Sequence, residues 1–83
     1  MEIHYSVHAL FRMAERGQKH GLPEDEVRER VEWTLKNGRK QQLPSKKTRY
    51  THYFRDNLTF KIIALQDQTI TLILTIIIKR GRP

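Results

Sequence analysis

The sequence predicts an α+β domain in which two N-terminal helices pack on one face of a three- to four-stranded antiparallel sheet. Three observations carry that expectation. Apolar residues recur at helical spacing in two segments before Gly38. From Arg49 onward, β-branched and aromatic residues dominate three runs separated by short polar turns. No repeat, linker or change of character divides the 83 residues, so residues 1–83 are expected to be a single domain.

Glu2 to Tyr5 reads as a short edge strand or an extended lead-in. The first helix is expected from Ser6, whose hydroxyl suits an N-cap, to Gly17, which suits the left-handed stop. Val7, Leu10, Phe11 and Ala14 recur at i, i+3, i+4 and i+7 and form its expected apolar face. His8, Arg12 and Arg16 form a polar stripe beside that face, one turn apart. A second helix is expected from about Pro23 to Asn37, with Glu24, Asp25 and Glu26 at the positive end of its dipole and Lys36 near the negative end. Val27, Val31, Thr34 and Leu35 are its buried face, and Gly38 closes it. Trp33 lies off that face, either as a lid over the core edge or as an exposed aromatic, with packing the expected role.

Arg39 to Lys47 is basic and interrupted by Pro44, so a loop is expected, with a short strand near Gln41–Leu43. Strands follow at Arg49–Arg55, Leu58–Gln66 and Thr69–Lys79, and Gly81-Arg82-Pro83 is expected to be a frayed tail. Strand parity sets the register. Leu58, Phe60, Ile62 and Ala64 share one face, and Ile70, Leu72, Leu74, Ile76 and Ile78 share one face. A three-residue loop at Gln66–Gln68 would place both sets on the same side, and burial should select it. Ile63, Leu65, Ile73 and Ile77 would then lie on the uncovered face beside Thr59, Lys61, Thr71 and Thr75. An apolar patch there implies a partner, either a second copy or a cognate inhibitor, or else cover by the tail.

The charge is +7 overall, and it is unevenly placed. Residues 1–35 carry −2, whereas residues 36–83 carry +9. A basic half of this kind suits a polyanion, with Lys46, Lys47, Arg49, Lys61, Lys79 and Arg80 as candidate nucleic-acid-binding residues. The chain has no cysteine and no ligand-spaced histidine–carboxylate cluster, so neither a metal nor any other cofactor is expected. No strained serine elbow and no phosphate-binding glycine loop occurs. The start has no signal-peptide pattern, and the Ile70–Ile78 run is too short for a membrane helix. A soluble cytoplasmic protein without a membrane partner is the expectation.

Metal-free phosphodiester chemistry on RNA fits what remains. RNA brings its own nucleophile, the 2′-OH, and needs a proton acceptor, cations for the charge on phosphorus, and an acid for the leaving oxygen. His8 is the candidate base, Arg12 and Arg16 the candidate phosphate grips, and His52 the candidate acid, with a tyrosine or lysine as alternatives. Each also has an ordinary structural role: a carbonyl partner for His8, ion pairs for the arginines, and packing for His52 in its aromatic strand. Tyr50, His52, Tyr53 and Phe54 among Lys46, Lys47, Arg49 and Arg55 also suit base stacking in a cationic groove.

The pattern His8-Ala9-x-x-Arg12-Met13-x-x-Arg16-Gly17, followed by an acidic second helix and a β-rich half, resembles a family of small prokaryotic domains of unknown function. That family is grouped with the RelE- and BrnT-like ribonuclease toxins of the barnase–EndoU–colicin–RelE fold group. The resemblance implies a RelE-like sheet with two N-terminal helices, a metal-independent ribonuclease activity and, often, a neighbouring antitoxin. Two other functions fit the same residues: a non-catalytic nucleic-acid-binding module, and a protein-interaction domain that works through the uncovered sheet face.

Overall fold

The computed structural model describes residues 2–83. The elements run β1 (Glu2–Tyr5), α1 (Val7–Lys19), α2 (Glu24–Asn37), β2 (Arg39–Gln42), β3 (Lys47–Tyr53), β4 (Leu58–Asp67) and β5 (Ile70–Arg80). The strands form one five-stranded sheet in the order β1-β5-β4-β3-β2. Strands β2 to β5 are an antiparallel meander, and β1 lies parallel to β5 with Tyr5 opposite Ile73. The α+β class therefore holds, but the sheet is mixed and has five strands, not three or four antiparallel ones. Local pattern does not reveal β1's partner, because the pairing joins opposite ends of the chain.

Both helices cover the same side of the sheet. α1 rests on β5 and β1, and α2 rests on β4 and β3. Phe60, Ile62 and Ala64 of β4 meet Val27, Val31 and Leu35 of α2 and Met13 of α1 in one buried cluster. The expected buried face of α2 is the observed one, including Thr34, whose hydroxyl donates to the Arg30 carbonyl at 2.7 Å.

α1 starts where its N-cap predicts, but it is rotated relative to the apolar stripe. Val7 and Phe11 are 85% and 62% exposed, while Ala9, Met13 and Gly17 are buried. Close approach selects this face over hydrophobicity. A Cβ on Gly17 would sit 2.6 Å from Val27 Cγ2, so only glycine lets the two helices meet at this separation. Ser6 fixes the rotation from the other end. Its hydroxyl accepts from the Ala9 N–H at 3.0 Å and donates to the Leu74 carbonyl at 3.1 Å, and its N–H donates to the Ile73 carbonyl at 3.0 Å. Gly17 is not the stop either. The helix continues to Lys19, and Gly21, at φ +70°, takes the left-handed position while the Leu22 N–H donates back to the Gly17 carbonyl at 2.8 Å.

The β4–β5 hairpin reaches only part of the expected burial, and by a different device. Ile76 and Ile78 are buried, whereas Ile70 is 42% exposed and Leu72 pairs with Leu65 of the uncovered face. Asp67 pairs with Ile70, so the turn has two residues, Gln68 and Thr69, with Gln68 at φ +50°. That turn alone would send the apolar residues of β4 and β5 to opposite faces. A bulge corrects this: Ala64 pairs with Ile73 but Ile63 pairs with Thr75, leaving Leu74 as the extra residue. Beyond the bulge, Ile76 and Ile78 join Ile62 and Phe60 in the core as expected. Before it, Ile73 and Thr71 are the buried residues, so both belong to the core and not, as expected, to the uncovered face. Ile77 is on that face and half-buried. The tail covers one end of that face: the Gly81 carbonyl accepts from the hydroxyl of buried Thr59, and Arg82 lies over the Tyr53 ring at 5.2 Å. The Gly81 N–H donates to the Asn57 carbonyl at 2.8 Å, tying the chain end to the β3–β4 turn.

Candidate nucleic-acid interface

The uncovered face of the sheet is assembled by strand parity. Tyr50 and His52 of β3 pair with the core residues Ile62 and Phe60, so the odd-numbered residues of β3 and β4 point to the other side. Lys47, Arg49, Thr51 and Tyr53 of β3 therefore share that side with Thr59, Lys61, Ile63 and Leu65 of β4. β5 adds Ile77 opposite Lys61 and Lys79 opposite Thr59, and β2 adds Arg39 opposite Thr51 and Gln41 opposite Arg49. Ile63, Leu65 and Ile77 form a half-buried apolar floor, and the cations stand around it.

Lys79, Lys61 and Arg49 lie on a diagonal across three adjacent strands. None of them, nor Lys47, forms an ion pair among the described residues, since every salt bridge found there involves other groups. The Lys61 ammonium is pushed below the usual lysine range, first by the charge of Lys79 and then by slight desolvation and the charge of Arg49. Like charges are thus held together on this face without a carboxylate to offset them. Asp67 and Glu2 lie at the far end of the sheet, and Glu2 is bonded to His4.

The six candidate binding residues do not all share this face. Lys47, Arg49, Lys61 and Lys79 do. Lys46 sits in the β2–β3 turn, exposed and at φ +63°. Arg80 pairs with Leu58 and so points to the helix-covered side, where its charge helps keep Asp56 ionised. Arg39 was not expected at the site, because the short strand was placed two residues too late.

The four candidate catalytic residues are not brought together. His8 is exposed in the first turn of α1. Arg12 is committed to Glu15 at 2.8 Å and lies over the Phe11 ring at 5.8 Å. Arg16 is half-buried with an unpartnered Nε beside Ile78. His52 belongs to a different neighbourhood, under α2, where its ring meets Trp33 edge-on at 6.4 Å and Phe54 at 4.6 Å. All four stand on the helix-covered side of the sheet, away from the cationic face.

A rigid cluster that sequence reasoning missed lies beside His52. Arg30 of α2 donates to both carboxylate oxygens of Asp56, at 2.9 and 2.7 Å, and to Glu26 at 2.7 Å, while stacking over Phe54 at 4.9 Å. These bonds hold the Asp56 carboxyl below its usual range and raise Arg30 further. Arg30 and Asp56 are 26 residues apart in sequence, so no local spacing announces the pair.

Among the described residues no cluster of three or more histidine and carboxylate groups is placed to hold a metal ion, and no helix is long and apolar enough to cross a membrane. Fold and site together define an α+β domain with one helix-covered sheet face and one open, cationic face. Comparison with family models, with curated proteins and with solved structures gives no match to this chain.

Proposed function

We propose that this chain binds RNA on the open face of its sheet, as a nucleic-acid-binding domain of the RelE- and BrnT-like kind. The diagonal of Lys79, Lys61 and Arg49 carries the reading. Three cations held close without a carboxylate are costly to a fold that has no use for them, and phosphates relieve that repulsion. A flat strand surface with a half-buried tyrosine, Tyr53, suits an extended single strand whose bases can stack.

One observation favours a second step, metal-independent cleavage. Lys61 stands on the open face between Lys79 and Arg49, whose charges disfavour its protonated form. It is the candidate base for the 2′-OH on the face that would hold the RNA, whereas His8 stands on the covered side. The 2′-oxygen would attack phosphorus, the bond from phosphorus to the 5′-oxygen would break, and Arg49 and Lys79 would hold the charge that builds on the phosphoryl oxygens. Tyr53, on the same face, is the candidate acid for the leaving oxygen.

The experiment compares two variants against single-stranded RNA, with EDTA present throughout. Arg49→Gln/Lys61→Gln/Lys79→Gln is expected to lose binding and any cleavage. His8→Ala/Arg12→Ala is expected to keep binding. Cleavage that disappears in the α1 variant while binding persists would move the chemistry to the His8 stripe. Full binding by the triple variant would remove the open face from the function.

A further inference from the structure

A groove beside His52 lies outside the open face. It encloses about 540 Å³ and is lined by Trp33, His52, Phe54 and Arg55, with Arg30 and Asp56 at its base. Trp33 is 52% exposed at its mouth. Its exposed ring offers a face on which a flat partner can stack. The floor is preorganised. Phe54 packs edge-on against the core residue Phe60 at 5.2 Å, and Arg30 is held over Phe54 by two carboxylates.

The chemistry of the lining narrows the ligand. Aromatic faces alone suit either a cation or a flat ring. Asp56, the groove's carboxylate, is occupied on both oxygens by Arg30, so no free negative charge is available to a cation. Arg55 is exposed and forms no ion pair among the described residues. A flat aromatic ring attached to a phosphate meets both requirements.

The groove also connects to the open face around the end of the sheet. Tyr53 precedes the β3–β4 turn on the open side, with its hydroxyl donating to the Asn57 side chain at 2.7 Å. Arg82 lies over the Tyr53 ring at 5.2 Å, held there because Gly81 is bonded to Asn57. Lys79, Arg82 and Arg55 thus lead from the platform, past the turn, to Trp33.

We propose that the Trp33–His52–Phe54 groove is a nucleobase subsite, which takes one base of a single-stranded RNA segment as it leaves the open sheet face around the β3–β4 turn. The base stacks on Trp33, and its phosphate meets Arg55. This rests on the RNA reading of the open face and adds a contact that salt does not screen.

Trp33 is the chain's one tryptophan, so its fluorescence reports on the groove directly. The full chain is titrated with oligoadenylate and with an abasic oligonucleotide of equal length, while binding is followed independently by filter retention. Oligoadenylate is expected to quench Trp33, and the abasic strand to bind more weakly without quenching. Trp33→Leu is expected to weaken oligoadenylate binding by about five- to 150-fold, the range a single base–aromatic stack supplies, and to leave the salt dependence unchanged. Because Trp33 is exposed, the variant should keep the wild-type circular dichroism spectrum. Retained oligoadenylate with no quenching, and equal affinity in Trp33→Leu, would overturn the subsite and leave the platform standing. No retention of any oligonucleotide by the wild type would overturn both.

Discussion

Neutralising the diagonal of cations tests the open face quantitatively. In Arg49→Gln/Lys61→Gln/Lys79→Gln the side chains keep their reach and lose only charge. Diagonal neighbours on adjacent strands stand about 7–8 Å apart, a spacing comparable with the phosphate repeat of an extended single strand. Each cation can therefore meet its own phosphate. For a single strand, each neutralised phosphate contributes about 0.7 to the slope of log affinity against log salt. Losing three contacts should flatten that slope by about 2. Over a fourfold rise in salt, the variant should lose roughly twentyfold less affinity than the wild type. The assay is fluorescence anisotropy of a labelled oligoribonucleotide at several salt concentrations. Stability provides an independent check with the opposite sign. Lys79 and Arg49 both disfavour the charged form of Lys61, so removing the three charges should leave the melting temperature unchanged or raise it. An unchanged slope, or a melting temperature lowered by several degrees, would refute the assignment.

The face of α1 can be tested by contrast: Met13→Ala should cost about 2–5 kcal/mol in urea unfolding, whereas Phe11→Ser should change stability by no more than about 0.5 kcal/mol. Equal costs would mean that the helix is turned the other way. Gly17→Ala should destabilise, because about 1–3 kcal/mol of overpacking against Val27 exceeds the gain of about 1 kcal/mol in helix propensity. Adding Val27→Ala should make the two changes non-additive, and a stabilised single variant would contradict the close approach. Asp56 is held below the usual carboxylate range, so its contribution is present above the unfolded pKa and disappears as pH falls through the folded one. From about pH 5 to pH 3 the wild type should therefore lose more stability than Asp56→Asn. Parallel acid melting curves would exclude the Arg30 clamp as the cause.

Much of the architecture was legible because local signals agreed with the global fold. Ser6, the acidic start of α2 and the β-branched runs place both helices and the three long strands within a few residues of where they occur. The misses share a physical cause. The α1 face was chosen by hydrophobicity, but Ala9 and Gly17 win because small residues let backbones approach, and hydrophobic periodicity gives no weight to closeness. The hairpin parity was argued on the assumption of uninterrupted pairing. The requirement that apolar residues share a face holds beyond the bulge at Leu74, for Ile76 and Ile78, but before it Ile73 moves into the core while Leu72 moves to the uncovered face. Ser6 joins the two misses, since its hydroxyl donates to the Leu74 carbonyl and thereby sets both the bulge and the helix rotation.

The site was legible to the extent that strand parity sorts side chains. Parity puts Lys61 on the uncovered face from sequence alone, and the register adds Lys47, Arg49 and Lys79. The helical stripe of His8, Arg12 and Arg16 was equally regular, but regular spacing along one helix does not say which side of the sheet that helix covers. With α1 on the covered side, an RNA bound to the platform is separated from His8 by the thickness of the sheet. A strand that touches both must pass around an edge. The end of the sheet at the β3–β4 turn is lined by Arg55, Lys79 and Arg82, and it opens onto Trp33 and His52, not onto α1. Of the four residues first considered for catalysis, His52 is thus the one within reach of a ligand on the open face. Packed edge-on between Trp33 and Phe54, it is placed as a wall of the proposed base subsite.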